Sequence, residues 1–258
     1  MFFLNLCCFF ALIFIYCRNV INCCSIMKLE VFDSSREALR AVSDHLAKAI
    51  EDSHLKPFHL ALSGGDTAQL LFKVWTEEYR EKIDWDAIRF YWVDERCVSP
   101  EDEQSNYKHA EELLFRPLDI SPEHVFRIYG EADPEPEAGR YAEILKWELP
   151  GYSTMPRFDC IILGIGSGGH TASIFPEQMD LLTDGRPYAV SEHPDTGQKR
   201  ITMTGSLILR GKTILIPVVG LAKTDVLRYV LAHNEETPAG YILTHAPQAT
   251  LFTNVKLE

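Results

Sequence analysis

Short apolar runs alternate with amphipathic segments from residue 27 to the end of the chain, and no other feature limits the possible folds so strongly. The runs have the length of strands, and the segments between them place apolar residues at helical spacing. Strands are predicted at 28–32, 58–62, 88–93, 125–128, 159–163, 188–192, 200–204, 213–219 and 250–253, and helices at 34–51, 68–79, 105–115, 135–147 and 222–231. This order predicts one α/β domain with a mostly parallel sheet and helices on both faces.

The first 26 residues differ from this pattern. They are apolar apart from Asn5 up to the first charge, Arg18, and they hold five of the seven cysteines. A secretory signal would carry a basic amino-terminal region, and a membrane anchor needs about 20 apolar residues, which this run barely approaches. We favour a third interpretation, in which Met27 is the true start and residues 1–26 are an apolar leader outside the fold. The expected domain is then 27–258.

The charge balance of the chain is acidic. The formal net charge is −12, and it becomes −13 when Arg18 is left out with the leader. This excess of carboxylates argues against nucleic acid and anionic membranes as partners. Cys97 and Cys160 are the only cysteines of the expected domain, so we expect a reducing, cytoplasmic compartment. The nine histidines show no metal-site spacing, and the sequence predicts neither a metal nor a cofactor.

The stretch Phe158–Pro176 contains the most informative turn. A run typical of a buried strand ends in four glycines between residues 164 and 169, and His170 follows. Residues 171–173 suit the first turn of a helix. In open α/β sheets ligands bind at the carboxyl ends of strands, and glycines let the backbone approach an anion. A tight turn whose histidine only caps local backbone is an equally good interpretation of this stretch alone.

A second glycine turn, Ser63–Thr67 with the sequence SGGDT, lies between a predicted strand and its helix. A glycine pair at such a turn lets main-chain N–H groups surround a phosphate, with the two hydroxyls as further donors. The turn lacks the spacing and lysine of a P-loop, so nucleotides are not indicated. The same residues also form ordinary turns.

Three charged residues follow the strand predicted at 88–93. Asp94, Glu95 and Arg96 fall at its carboxyl end, on the expected rim of the same crevice, although a solvated charge cluster is the commoner meaning of such a run. The following residues 105–107, SNY, are interpreted as a helix cap in preference to a substrate contact.

Two cations complete the pattern. Arg200 begins an alternating strand, and Lys223 follows the strongly apolar run 213–219. A guanidinium and an ammonium suit a phosphate dianion. Each alone is more often a surface cation, but their joint placement beside two glycine turns favours an anion site.

These five motifs, in this order and spacing, resemble those of the 6-phosphogluconolactonase family over essentially all of residues 27–258. The resemblance implies a modified Rossmann-like fold, which the family shares with glucosamine-6-phosphate deaminase and ribose-5-phosphate isomerase, so the fold does not choose the reaction. The deaminases carry a glutamate five residues after the histidine, where this chain has Phe175, and a tyrosine after the Asp-Glu pair, where it has Arg96.

The resemblance also implies roles for residues. His170 is the general base that activates a water molecule, and Asp94 or Glu95 is a possible support for it. The expected substrate-binding residues are Ser63, Gly64, Gly65, Thr67, Arg96, Gly166, Gly169, Arg200 and Lys223.

One position departs from the family pattern. The family usually has an aspartate two residues before the histidine, where this chain has Gly168, so we expect His170 to ionise like an ordinary histidine. The expected substrate is a sugar-phosphate lactone and the expected state a monomer or weak homodimer. A sugar-phosphate deaminase or isomerase, and a catalytically silent sensor, remain as alternatives.

Overall fold

In the computed structural model, the residues described are 28–54, 56–149 and 155–257. A sheet of six parallel strands forms the centre, in the order β1-β9-β8-β5-β2-β3. Its strands are β1 (Lys28–Val31), β2 (Phe58–Leu62), β3 (Ile88–Trp92), β5 (Cys160–Ile162), β8 (Thr213–Val218) and β9 (Ala249–Thr253). The predicted α/β fold with a mostly parallel sheet is therefore confirmed. The leader and Met27 lie outside the described residues.

The helices follow strands as the sequence pattern predicts. Ser34 caps the first helix by accepting the backbone N–H of Glu37, and this helix packs on the second and against β8 and β9. The helices are α1 (Ser35–Glu51), α2 (Asp66–Glu78), α3 (Asn106–Ala110), α4 (Arg116–Leu118), α5 (Pro134–Glu148), α6 (Gly205–Ile208), α7 (Thr224–His233) and α8 (Pro238–His245). No helix within the described residues is long and apolar enough to cross a membrane.

Three strands form a separate small antiparallel sheet in the order β4-β7-β6, made of β4 (Asp94–Arg96), β6 (Tyr188–Glu192) and β7 (Lys199–Met203). The six residues 193–198 join β6 to β7, and a connection this short can only make a hairpin, because parallel neighbours need a crossover of a dozen residues or more. This small sheet brings Asp94 and Arg200 over the carboxyl edge of the large sheet.

Two local predictions are wrong, and a third holds with a change of helix type. No helix starts at Thr171: Thr171 and Ile174 form an antiparallel bridge, and Ala172 has a φ of 51°, outside the right-handed helical region. The segment 125–128 makes one bridge, from Val125 to Phe90, in place of a strand. The predicted helix 105–115 is α3 continued by a π-helical turn over residues 111–115.

Candidate active site

A cavity of about 320 Å³ lies at the carboxyl ends of the central strands, between the large and small sheets. Both glycine turns border it, because β2 and β5 are neighbours in the sheet and end at the same edge. Its lining residues are Ser63, Gly64, Gly65, Asp66, Thr67, Asp94, Arg96, Asn106, Gly164, Ile165, Gly166, Ser167, His170, Ala172, Arg200 and Lys223.

The turn Ser63–Thr67 presents an open helix end to this cavity. Gly65 precedes α2 with a φ of 87°, a conformation that favours glycine, and no side chain caps the helix. The first N–H groups of a helix carry partial positive charge, so an uncapped end in a cavity is suited to an anion. The other glycine of the pair is needed for close packing, because a Cβ at Gly64 would lie 1.8 Å from Asn106 Oδ1.

The turn from Gly164 to His170 uses part of its backbone internally. The N–H of Gly166 donates to the carbonyl of His170, and that of Gly169 donates to the carbonyl of Gly166. The N–H of Ser167, a residue that lines the cavity, has no acceptor among the described residues and is available to an oxyanion.

A backbone carbonyl fixes the ring of His170. Its Nδ1 lies 2.8 Å from the carbonyl oxygen of Ser167. Because a carbonyl only accepts, Nδ1 carries the proton and Nε2 keeps its lone pair. The ring lies over Gly166, where a Cβ would come within 2.1 Å of Nε2. This arrangement presents a neutral imidazole of one tautomer without any contribution from residue 168.

Burial lowers the pKa of His170 below its ordinary value, which corrects the expectation of an ordinary ionisation. The hydrogen bond to Ser167 and the charge of Asp94 oppose this shift, whereas the charges of Arg200 and His193 reinforce it. The buried ring of Phe175 adds to the burial, since its centroid lies 4.9 Å from that of His170.

Asp94 and Glu95, adjacent on β4, have different surroundings. Side chains alternate along a strand, and Asp94 lines the cavity. The carboxylate of Glu95 instead accepts the backbone N–H groups of Arg96, Asn106 and Tyr107 and the hydroxyl of Ser105. Burial raises the pKa of Glu95 and the three N–H donors oppose that shift. Glu95 thus anchors the start of α3 outside the cavity lining.

Three cations line the cavity. Arg96 and Arg200 are directly opposite each other in the β4–β7 pair, an arrangement of like charges that destabilises a sheet. Neither of them forms an ion pair within the described residues. Lys223 Nζ donates to the carbonyl of Ile165, which ties it to the histidine turn. Two opposed guanidiniums without a carboxylate partner indicate a site for an anionic ligand.

The structure brings most of the predicted site residues into one cavity. Gly169 is an exception: it packs against α7 and α8, and a Cβ there would lie 2.9 Å from Thr237. Glu95 is the second exception. Three residues that contribute to the site are missing from the sequence-based prediction, namely Asn106, Ser167 and Ser173. Asn106 falls in the SNY motif, whose capping function is confirmed because Ser105 accepts the backbone N–H of Lys108.

In the described part of the chain, no three His, Cys, Asp or Glu side chains lie close enough together to hold a metal ion.

Comparison with known proteins gives a consistent result. Residues 33–252 match the family model described as glucosamine-6-phosphate isomerases/6-phosphogluconolactonase. A 6-phosphogluconolactonase of Treponema pallidum is 42% identical over 207 residues, which cover 79% of this chain and 84% of the relative. One of Haemophilus influenzae is 37% identical over 209 residues, covering 81% and 85%.

A solved structure agrees with these sequence matches. The 6-phosphogluconolactonase from Trypanosoma cruzi superposes with a TM-score of 0.78 at 25% identity, over 91% of this chain and 96% of that one.

Proposed function

This chain belongs to the family of glucosamine-6-phosphate isomerases and 6-phosphogluconolactonases, and we propose that it hydrolyses 6-phospho-D-glucono-1,5-lactone to 6-phospho-D-gluconate in the oxidative pentose phosphate pathway. The observation that carries the proposal is a single-tautomer neutral imidazole, His170, in the same cavity as an uncapped helix end and three cations that form no ion pair among the described residues. This combination supplies a base for water and an anchor for a phosphate.

In this mechanism Nε2 of His170 takes a proton from water as the water oxygen bonds to C1 of the lactone. The tetrahedral oxyanion accepts a hydrogen bond from the N–H group of Ser167. Collapse breaks the bond between C1 and the ring oxygen, and the ring oxygen takes the proton from Nε2. The products are a hydroxyl group and a carboxylic acid, which releases its proton to solvent and becomes a carboxylate. No covalent enzyme intermediate is needed.

The phosphate supplies orientation. The start of α2, the hydroxyls of Ser63 and Thr67, and the cations of Arg200 and Lys223 provide charge-assisted donors to a dianion. Binding the phosphate far from C1 holds the lactone against the base and discriminates against unphosphorylated lactones.

Phe175 supports lactonase chemistry over a deaminase. The ring packs on His170 and is almost fully buried, so this position offers no carboxylate for proton transfer at C1 and C2. The silent-sensor alternative was raised by Gly168, and the tautomer set by Ser167 weakens it, because the base needs no aspartate there to be oriented.

The test uses freshly generated 6-phosphogluconolactone, which also opens spontaneously. We expect acid release well above the buffer blank, slower release from unphosphorylated gluconolactone, and no ammonia from glucosamine 6-phosphate. Release at the blank rate by folded protein would contradict the proposal, and ammonia release would favour the deaminase.

We also propose a cytoplasmic location and a monomer or weak homodimer. The location is supported by the two free cysteines of the described chain, Cys97 and Cys160. Cell fractionation and sedimentation velocity over a range of protein concentrations are the corresponding measurements.

A further inference from the structure

Asp94 is a buried carboxylate with few partners. Its Oδ2 accepts the hydroxyl of Ser173 at 2.7 Å, and among the described residues no other donor reaches the carboxylate. The neighbouring Glu95 is equally buried but accepts four hydrogen bonds. A buried carboxylate is costly unless donors or an opposite charge compensate it, so Asp94 has the surroundings of a group kept for its charge rather than for the fold.

Ser173 joins the histidine loop to the small sheet. Besides donating its hydroxyl to Asp94, it donates its backbone N–H to Thr202 Oγ1 at 3.0 Å. Asp94 and Thr202 are directly opposite in the β4–β7 pair, so one residue contacts both members of a register pair. Ser173 is fully buried and lies three positions after His170, which makes the link short and rigid.

We propose that Asp94, held in place by Ser173, is the counter-charge in the cavity that stabilises His170 once the imidazole has taken a proton from water. The inference rests on the proposed function, since it gives the carboxylate a part in that proton transfer. The ring's own hydrogen-bond partner, the carbonyl of Ser167, is neutral and supplies no negative charge. Two carboxylates line the cavity, Asp66 and Asp94, and of these it is the charge of Asp94 that acts on the imidazole.

The groups that act on His170 come from three elements. Asp94 on β4 raises the pKa of the imidazole, while Arg200 on β7 and His193 on the β6–β7 hairpin lower it. Asp94 also opposes the lowering of the pKa of Arg200 by burial. Removing the charge of Asp94 therefore deletes the anion that favours the imidazolium, while the repulsion from Arg200 remains.

The test is a titration of the His170 ring by NMR in the intact protein, with its resonance assigned by comparison with His170→Gln. We expect Asp94→Asn to lower the pKa of His170 by about one pH unit and Ser173→Ala to lower it by less, because the carboxylate remains but is no longer held. Glu143→Gln removes an exposed carboxylate from α5 and is the matched control, with no shift expected.

A kinetic measurement accompanies the titration. The acid limb of kcat/KM should move to lower pH in Asp94→Asn, with kcat falling about tenfold and KM changing less. A purely structural role would change stability or KM without moving the limb.

The outcomes separate this inference from the proposed function. Absence of lactonase activity in the parent would contradict the function, while the NMR titration would still decide the charge relation. An unchanged or raised pKa of His170 in folded Asp94→Asn overturns the inference. If Asp94→Asn does not fold, Ser173→Ala carries the test, and an unchanged pKa there overturns the inference equally.

Discussion

The two glycine turns that border the cavity have nearly the same sequence and different structures. Residues 63–67 read SGGDT and residues 167–171 read SGGHT, and each turn follows one of two neighbouring strands. The second glycine of each has a positive φ, 87° at Gly65 and 79° at Gly169. The first turn opens the 13-residue helix α2, whereas the second continues into extended backbone at His170.

The difference follows from where each turn directs its polar groups. In the first turn, Asp66 begins an uncapped helix whose first two residues line the cavity. In the other turn the His170 ring bonds back to Ser167 and the N–H groups of Gly166 and Gly169 are used internally. In the proposed mechanism, the first turn binds the phosphate and the second holds the base.

The largest expected effect comes from the base. His170→Ala should lower kcat by about 10²- to 10⁴-fold, because it removes the group that deprotonates water, while KM changes little. His245→Ala, at the exposed end of α8, is the control and should keep the parental rate. A parental rate and pH profile in His170→Ala would show that the imidazole is not the base.

Replacing the two cations proposed to bind the phosphate should instead raise KM and change kcat less. Arg200→Ala and Lys223→Ala each remove a charge-assisted bond and should weaken substrate binding by about 1.5 to 3 kcal/mol, or roughly 10- to 150-fold in KM. Inorganic phosphate should compete with substrate in the parent and less so in both variants. Lys73→Ala, which removes an exposed cation, is the control. An unchanged KM in both variants would mean that neither cation contacts the phosphate.

The first glycines of the two turns should differ in stability cost. Gly64→Ala puts a methyl group into Asn106 and should destabilise the fold by about 1 to 3 kcal/mol, since the neighbour must move. Gly168→Ala meets nothing within 4 Å and should cost only the strain of its φ of 73°, about 1 kcal/mol. Urea unfolding of both variants measures the difference. Equal costs would mean that the packing of Gly64 against Asn106 is not tight.

Much of the fold was accessible from the sequence because it depends on local pattern. Apolar runs predict the six parallel strands, and Ser34 predicts the start of α1. His170 and Lys223 could be expected to converge because they follow strands of a parallel sheet that end at one edge. Arg200 instead reaches the cavity from the small antiparallel sheet.

The remaining features depend on contacts between residues distant in sequence. The turns SGGDT and SGGHT continue into different structures. The second has a hydrogen bond from the His170 ring and lies beside the small sheet, and the sequence pattern reveals neither feature. The separation of Asp94 from Glu95 requires the register of β4, and the contact of Ser173 with Asp94 joins residues 79 positions apart.

The smallest expected effect concerns residue 168 and the pH dependence of the base. The proposed mechanism needs neutral His170, so kcat/KM should rise with pH through the pKa of this residue. Burial lowers that pKa, which places the rise below the ordinary histidine value of about 6.5. Gly168→Asp adds an anion to the loop and should raise the pKa, moving the acid limb to higher pH.

The shift in Gly168→Asp should stay under about one pH unit. Position 168 is exposed and a Cβ there meets open space, so solvent screens the new charge. Aspartate tolerates a positive φ better than most residues, so the variant should fold at a modest cost. Gly168→Asn has the same shape without the charge, and the pH–rate profiles of both variants are compared at low salt. A limb that moves equally in both variants would trace the change to the loop conformation, and one that moves only with aspartate would trace it to charge.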